Sequence, residues 1–192
     1  MLYGSGREAL LCAGRESVEE RGIDAVTTRE ICARAGVGAP TLYHHFGSRE
    51  GLLEELLKEA QDRYLTSKDG ILATGDAAVD TRNGWEHHIA FARSNAALYP
   101  LLLRPNSDAS TTSLARLRRG FERLEQAGAL REGITAAEAT LVLASALRGV
   151  ALRLSYAPND PDLLHASELL REAVINALLK TDERAGASDQ HH

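Results

Sequence analysis

The spacing of apolar residues constrains this chain more than any other feature. In almost every long segment they recur at intervals of three and four, and β-branched residues alternating with polar ones are missing. That pattern predicts an all-α fold. The 192 residues, 44 % of them hydrophobic, suffice for one large or two small domains with an ordinary core. Cys12 and Cys32 are too few for a disulfide framework and lack zinc-finger spacing. The N-terminus shows no basic stretch followed by a long apolar one, and no apolar run approaches the ~20 residues of a membrane span. A reduced, soluble, cytoplasmic protein is expected.

Punctuation places the helices. A first helix is predicted over 7–21, stopped by Gly22. Thr27 and Glu30 stand in the capping-box relation and open a two-turn helix with Ile31 and Ala35 inward and Gly36 as its stop. A third helix runs from Ala39 to about His45, with Pro40 tolerated because first-turn N–H groups lack helical partners. Ser48 caps a long fourth helix carrying Leu52, Leu53, Leu56, Leu57, Ala60 and Tyr64. Residues 66–83 are polar and Gly/Asp-rich, and read as a loop with an uncertain helix start. Trp85, Ile89 and Ala92 mark a fifth helix, and LYPLLL a short apolar piece. Leu114, Leu117, Phe121 and Leu124 form a stripe ending at Gly128. A second capping box, Thr135 with Glu138, opens the most apolar helix. Asp160–Pro161 starts the last one, which is expected to reach Lys180. Residues 182–192 read as a disordered tail.

Charge does not advertise nucleic acid. Residues 1–50 hold six arginines against seven acids, so the bulk basic footprint of a DNA-binding domain is absent. Local placement has to carry the argument. Two short helices joined by a glycine-containing turn between 27 and 46 fit a helix-turn-helix, whose second helix enters the major groove. On it, TLYHHF sets Tyr43, His44 and His45 side by side, more contact groups than a core needs.

The stretch TTREICARAGVGAPTLYHHFGSREGLL resembles the N-terminal domain of the TetR family of transcriptional regulators, over about residues 7–57. The resemblance implies a three-helix DNA-binding domain at 1–47 and a helical effector-binding and dimerisation domain at 48–181. It implies that Thr27, Thr28 and Arg29 approach phosphates, that Ala39, Pro40 and Thr41 meet bases, and that Tyr43 and His44 lie on the groove side. Arg49 occupies the position of a common phosphate-binding lysine, and Leu42 and Phe46 should be core. The chain departs from the family where Arg15, Ser17 and Val18 replace larger apolar residues of the first helix, which points to a thin or shifted core. Gly38 replaces a frequent serine cap. With Ala39–Pro40 next, thymine-methyl contact and shape readout are expected over direct hydrogen bonds.

The implied function is a ligand-responsive regulator, acting as a repressor, that binds a palindromic double-stranded DNA operator as a homodimer and is released by a small-molecule effector. The nearer alternative is a constitutive DNA-binding regulator. An enzyme is the more distant one, since no Ser-His-Asp arrangement, phosphate loop or HExxH motif is present. Trp85, Phe91, Phe121 and Tyr156 read first as core. Arg148 and Arg153 interrupt the most apolar helix, where an unpaired buried charge is costly. Both read first as exposed or interface residues; the other readings are that Arg148 reaches a carboxylate partner, or that it faces a pocket and recognises an anionic ligand. The candidate ligand-binding residues are Trp85, His88, Phe121 and Arg148. No metal or cofactor is expected: His44–His45 and His87–His88 are adjacent, so their side chains diverge by ~100° on a helix. The dimer is expected through the last two helices. There Ala144, Ser145 and Gly149 allow close approach, and Leu163, Leu170, Val174 and Leu178 form an apolar face.

Overall fold

The structure, a computed structural model, describes residues 6–69, 73–102 and 108–180. The expected tail lies outside them. The described residues form nine helices and no strand beyond one isolated bridge. None of these helices is long and apolar enough to cross a membrane.

The first helix, α1 (Gly6–Arg21), buries Leu10, Leu11, Ala13, Gly14, Ser17 and Val18 on one face. Its core is shifted rather than thin. Gly14 replaces bulk with proximity: a Cβ there would stand 2.8 Å from Leu52 Cδ2 and 3.2 Å from Leu56 Cδ1. The backbone therefore sits directly on the leucines of α4 (Arg49–Asp69). Arg15 lies beside this contact and pairs with Glu59 at 2.7 Å.

The helix α2 (Thr28–Ala35) is capped by Thr27, whose hydroxyl accepts the Glu30 N–H at 3.3 Å. The reciprocal half of the expected box is taken elsewhere, because the Glu30 carboxylate receives Arg21 at 3.2 Å. Gly36 ends the helix at φ +68°, a left-handed conformation that costs a residue with a Cβ. The next N–H, that of Val37, then reaches back to Cys32 O at 3.0 Å. The turn delivers the chain into α3 (Ala39–Phe46), with Leu42 fully buried. α1, α2 and α3 pack on one another, and both α1 and α3 pack on α4.

The junction between α3 and α4 is tight. Ser48 Oγ accepts the Gly51 N–H at 3.0 Å, and a Cβ on Gly51 would fall 2.1 Å from Phe46 O. Only glycine allows that approach. The far half of α4 belongs to the second part of the molecule, formed by α5 (Ala77–Ser94), α6 (Tyr99–Leu102), α7 (Asp108–Gln126), α8 (Ala136–Tyr156) and α9 (Pro161–Leu178). α8 is central, touching α5, α6, α7 and α9.

Two boundaries differ from expectation. Residues 66–69 continue α4, and 77–83 already belong to α5. Asp76 caps α5 through the N–H groups of Ala78 and Val79, while Asp80 accepts the Thr74 N–H and hydroxyl, so the acidic residues there serve as caps. At the other end α9 stops at Leu178, because Leu179 turns extended and bridges to Leu130. The Thr135–Glu138 box forms in both directions.

Candidate functional site

The N-terminal helices expose a set of polar and aromatic side chains on α3 and at the start of α2. Ala39, Pro40, Tyr43, His44 and His45 are exposed on α3, and Thr27 and Arg29 on the start of α2. Thr28 and Thr41 are half-buried, Thr41 because the start of α1 lies against it. Residues 36–47 contain no Asp or Glu. Four of the seven acids in residues 1–50 are held in ion pairs, Glu16 and Glu20 by Arg34, Glu30 by Arg21 and Glu50 by Arg49, and Arg7 reaches Glu55 on α4. A near-neutral count thus conceals a face a polyanion can approach. Arg7 also lies over the Phe46 ring, 5.5 Å from its centroid.

Arg49 is turned inward. Its Nε donates to Val26 O and its Nη2 to Ile23 O, while Nη1 meets Glu50 at 3.2 Å. The guanidinium ties the first turn of α4 to the connection leading into α2. Its immediate work is to position the Thr27–Arg29 segment, which leaves two N–H groups for any further partner.

The second part holds a half-open cavity of about 830 Å³ between α4, α5, α7 and α8, within the range of small-molecule sites. Trp85, His88, Phe121 and Arg148 all line it. Trp85 is locked by its indole N–H on Ser167 Oγ, 3.0 Å away on α9. His88 is buried between two phenols: Nδ1 lies 2.6 Å from the Tyr64 hydroxyl and Nε2 2.7 Å from that of Tyr99. A neutral imidazole has one donor and one acceptor nitrogen, so one tyrosine donates while the other accepts. Burial, with Lys68 and His87 nearby, lowers the His88 pKa to about 3. Burial likewise raises both phenols above their ordinary range. His87 points away and meets Ser67 Oγ at 2.8 Å, so the two adjacent imidazoles serve separate partners.

Of the two arginines in the apolar helix, Arg148 is half-buried and faces the cavity whereas Arg153 is exposed. Among the aromatics, Phe91 packs on Tyr64 with ring centroids 4.5 Å apart, but Tyr156 is 75 % exposed rather than core. Sequence reasoning missed the cationic lining contributed by Lys68, Arg116, Arg119 and Arg123. The last three recur at intervals of three and four between the leucines of α7, a signal present in the sequence; Lys68 fell in the stretch read as a loop.

The outer faces of α8 and α9 also differ from expectation. Val174 and Leu178 turn into the protomer's own core, and Ala144 lines the cavity. Of the expected set Ser145, Gly149 and Leu170 are exposed, joined by Val142, Leu152 and Tyr156 on α8, which with Ser145 and Gly149 stand at alternating spacings of three and four, and by Leu169 on α9.

Fold and surface together define a helix-turn-helix protein with a second, cavity-bearing helical domain. Residues 10–56 match the family described as bacterial regulatory proteins, tetR family. The chain is 34 % identical over 80 residues to the HTH-type transcriptional repressor KstR2 of Mycolicibacterium smegmatis, covering 42 % of this chain and 39 % of that protein. It is 38 % identical over 58 residues to the tetracycline repressor protein class D of Escherichia coli, covering 30 % of this chain and 27 % of the repressor. The chain thus spans well under half the length of these relatives. The transcriptional regulator FadR from Bacillus subtilis, solved in complex with stearoyl-CoA, shares the fold at a TM-score of 0.70 and 19 % identity, over 88 % of this chain and 97 % of that one. The likeness to the TetR family thus rests on residues 10–56, the N-terminal helix-turn-helix region.

Proposed function

We propose that this chain is a transcriptional repressor that binds a palindromic operator as a homodimer and releases it when a small organic molecule enters the cavity. In this reading residues 1–47 bind DNA and 48–181 sense the effector and dimerise. Thr27, Thr28 and Arg29 meet phosphates, Ala39, Pro40 and Thr41 read bases, and Tyr43 and His44 line the groove, with Arg49 supporting the segment from behind. The protein works in the cytoplasm, where its operator is, and carries out no reaction.

The observation that carries the proposal is α4. The same helix whose first turn seats α3 through Gly51 supplies Tyr64 and Lys68 to the cavity wall. A tilt at its far end moves the recognition helix. Two such helices must stand about 34 Å apart to meet successive major grooves, so a shift of a few ångströms is enough to spoil the match. The spaced, exposed residues of α8 with Leu169 and Leu170 of α9 favour a two-fold four-helix interface, since an apolar strip of this kind is costly in water.

An effector shifts DNA affinity only by its preference between the two dimer shapes, typically about 1–3 kcal/mol of coupling. By reciprocity operator DNA weakens effector binding by the same factor. The test is effector affinity with and without selected operator, on a protein whose dimeric state is checked by sedimentation. Equal affinities would leave a constitutive DNA-binding regulator as the better reading.

A further inference from the structure

We infer that the cavity takes an organic anion with an apolar body, its charged group held at the α4–α7 end by Lys68. This deepens the proposed effector reading and rests on the same cavity. Lys68 and Arg116 converge on one turn of α4. Lys68 Nζ lies 4.5 Å from the centroid of the Tyr64 ring, and Arg116 Nη1 reaches Leu65 O at 3.2 Å. Both line the cavity, joined by Arg119, Arg123 and Arg148. One carboxylate, Asp80, lines it as well, and it already accepts two hydrogen bonds from Thr74. No described carboxylate pairs with Lys68.

A screened ammonium without a carboxylate among the described residues is stabilised when an anion arrives. Burial first, then Arg116, pushes the Lys68 pKa down to about 8, so at neutral pH the amine is mostly protonated and an incoming anion strengthens that form. The remaining lining explains the apolar body. Trp85, Phe121, Leu117, Leu143 and Leu147 offer carbon surface, and the indole and imidazole polar atoms are already satisfied by Ser167, Tyr64 and Tyr99. The wall therefore offers carbon surface as well as cationic side chains.

Trp85 is the sole tryptophan and lines the cavity, so its fluorescence reads occupancy directly, with titration calorimetry as a second measure. Three probes of one chain length separate charge from bulk: decanoate, decanol and decyltrimethylammonium, each below its aggregation limit. Decanoate should bind at least about tenfold more tightly than decanol, the difference one lost charge contact makes, and the ammonium probe should bind most weakly. Lys68→Met, checked by thermal melting to be folded, should bring decanoate to the level of decanol and leave decanol unchanged. Equal or tighter binding of decanol, an unchanged ratio in Lys68→Met, or no binding of any probe overturns the inference. Decanoate that binds without displacing operator supports it while defeating the proposed regulation. Decanol that binds best and releases operator does the reverse.

Discussion

Replacing His88 by leucine removes the link that joins α4, α5 and α6 beside the cavity. The imidazole is 6 % exposed, and Tyr64 and Tyr99 are each 1 % exposed, so its removal takes from two buried phenols the partner they share. An unsatisfied buried hydroxyl costs roughly 1–3 kcal/mol, so the substitution should destabilise the protein by about 2–5 kcal/mol at pH 7. The pH dependence follows from the sign of the shift. His88 has a folded pKa of about 3 against an ordinary 6.5, so below pH 6.5 the unfolded chain binds a proton that the native protein refuses. Its contribution is complete above that value and is lost as pH falls toward 3, at about 1.4 kcal/mol per unit. Between pH 7 and pH 5 the wild type should therefore lose about 2 kcal/mol that the leucine variant does not, and the gap between them should narrow by that amount. Urea unfolding of both proteins, followed by Trp85 fluorescence at fixed protein concentration and at pH 7, 6 and 5, measures it. A gap that stays constant over this range, or one below 1 kcal/mol at pH 7, would refute the buried neutral imidazole.

Gly51→Ala should force α3 and α4 apart, because the added Cβ meets Phe46 O at 2.1 Å; a loss of about 1–3 kcal/mol or more by denaturation, with a larger fall in operator affinity than in effector affinity, is expected. Arg49→Ala removes two charge-assisted bonds to Ile23 O and Val26 O, so stability should drop by about 2–4 kcal/mol; if the remaining N–H groups also meet a phosphate, the slope of affinity against salt falls by about one unit. Ser17 is fully buried and its hydroxyl has no hydrogen-bond partner among the described residues, so Ser17→Ala should raise stability by about 1 kcal/mol and the melting temperature by roughly 2–4 °C.

The helices, their caps and the helix-turn-helix were legible in the chain because each depends on neighbours three or four residues away. Thr27, Gly36, Pro40, Thr135 and Asp160 act on backbone groups within one turn, so the residue type carries the geometry with it. Only the tertiary structure decided which way each helix is rotated against the others. α8 is apolar nearly all round, so its periodicity leaves open that Arg148 enters a cavity while Arg153 meets solvent. The same ambiguity let Val174 and Leu178 read as one outer face with Leu170, when they pack inward and it is Leu169 that points out beside Leu170. Arg49 meets carbonyls 23 and 26 residues away, and His88 meets a tyrosine 24 residues upstream on another helix. Such contacts exist only once the helices have packed, because packing rather than sequence spacing brings their atoms within hydrogen-bond reach.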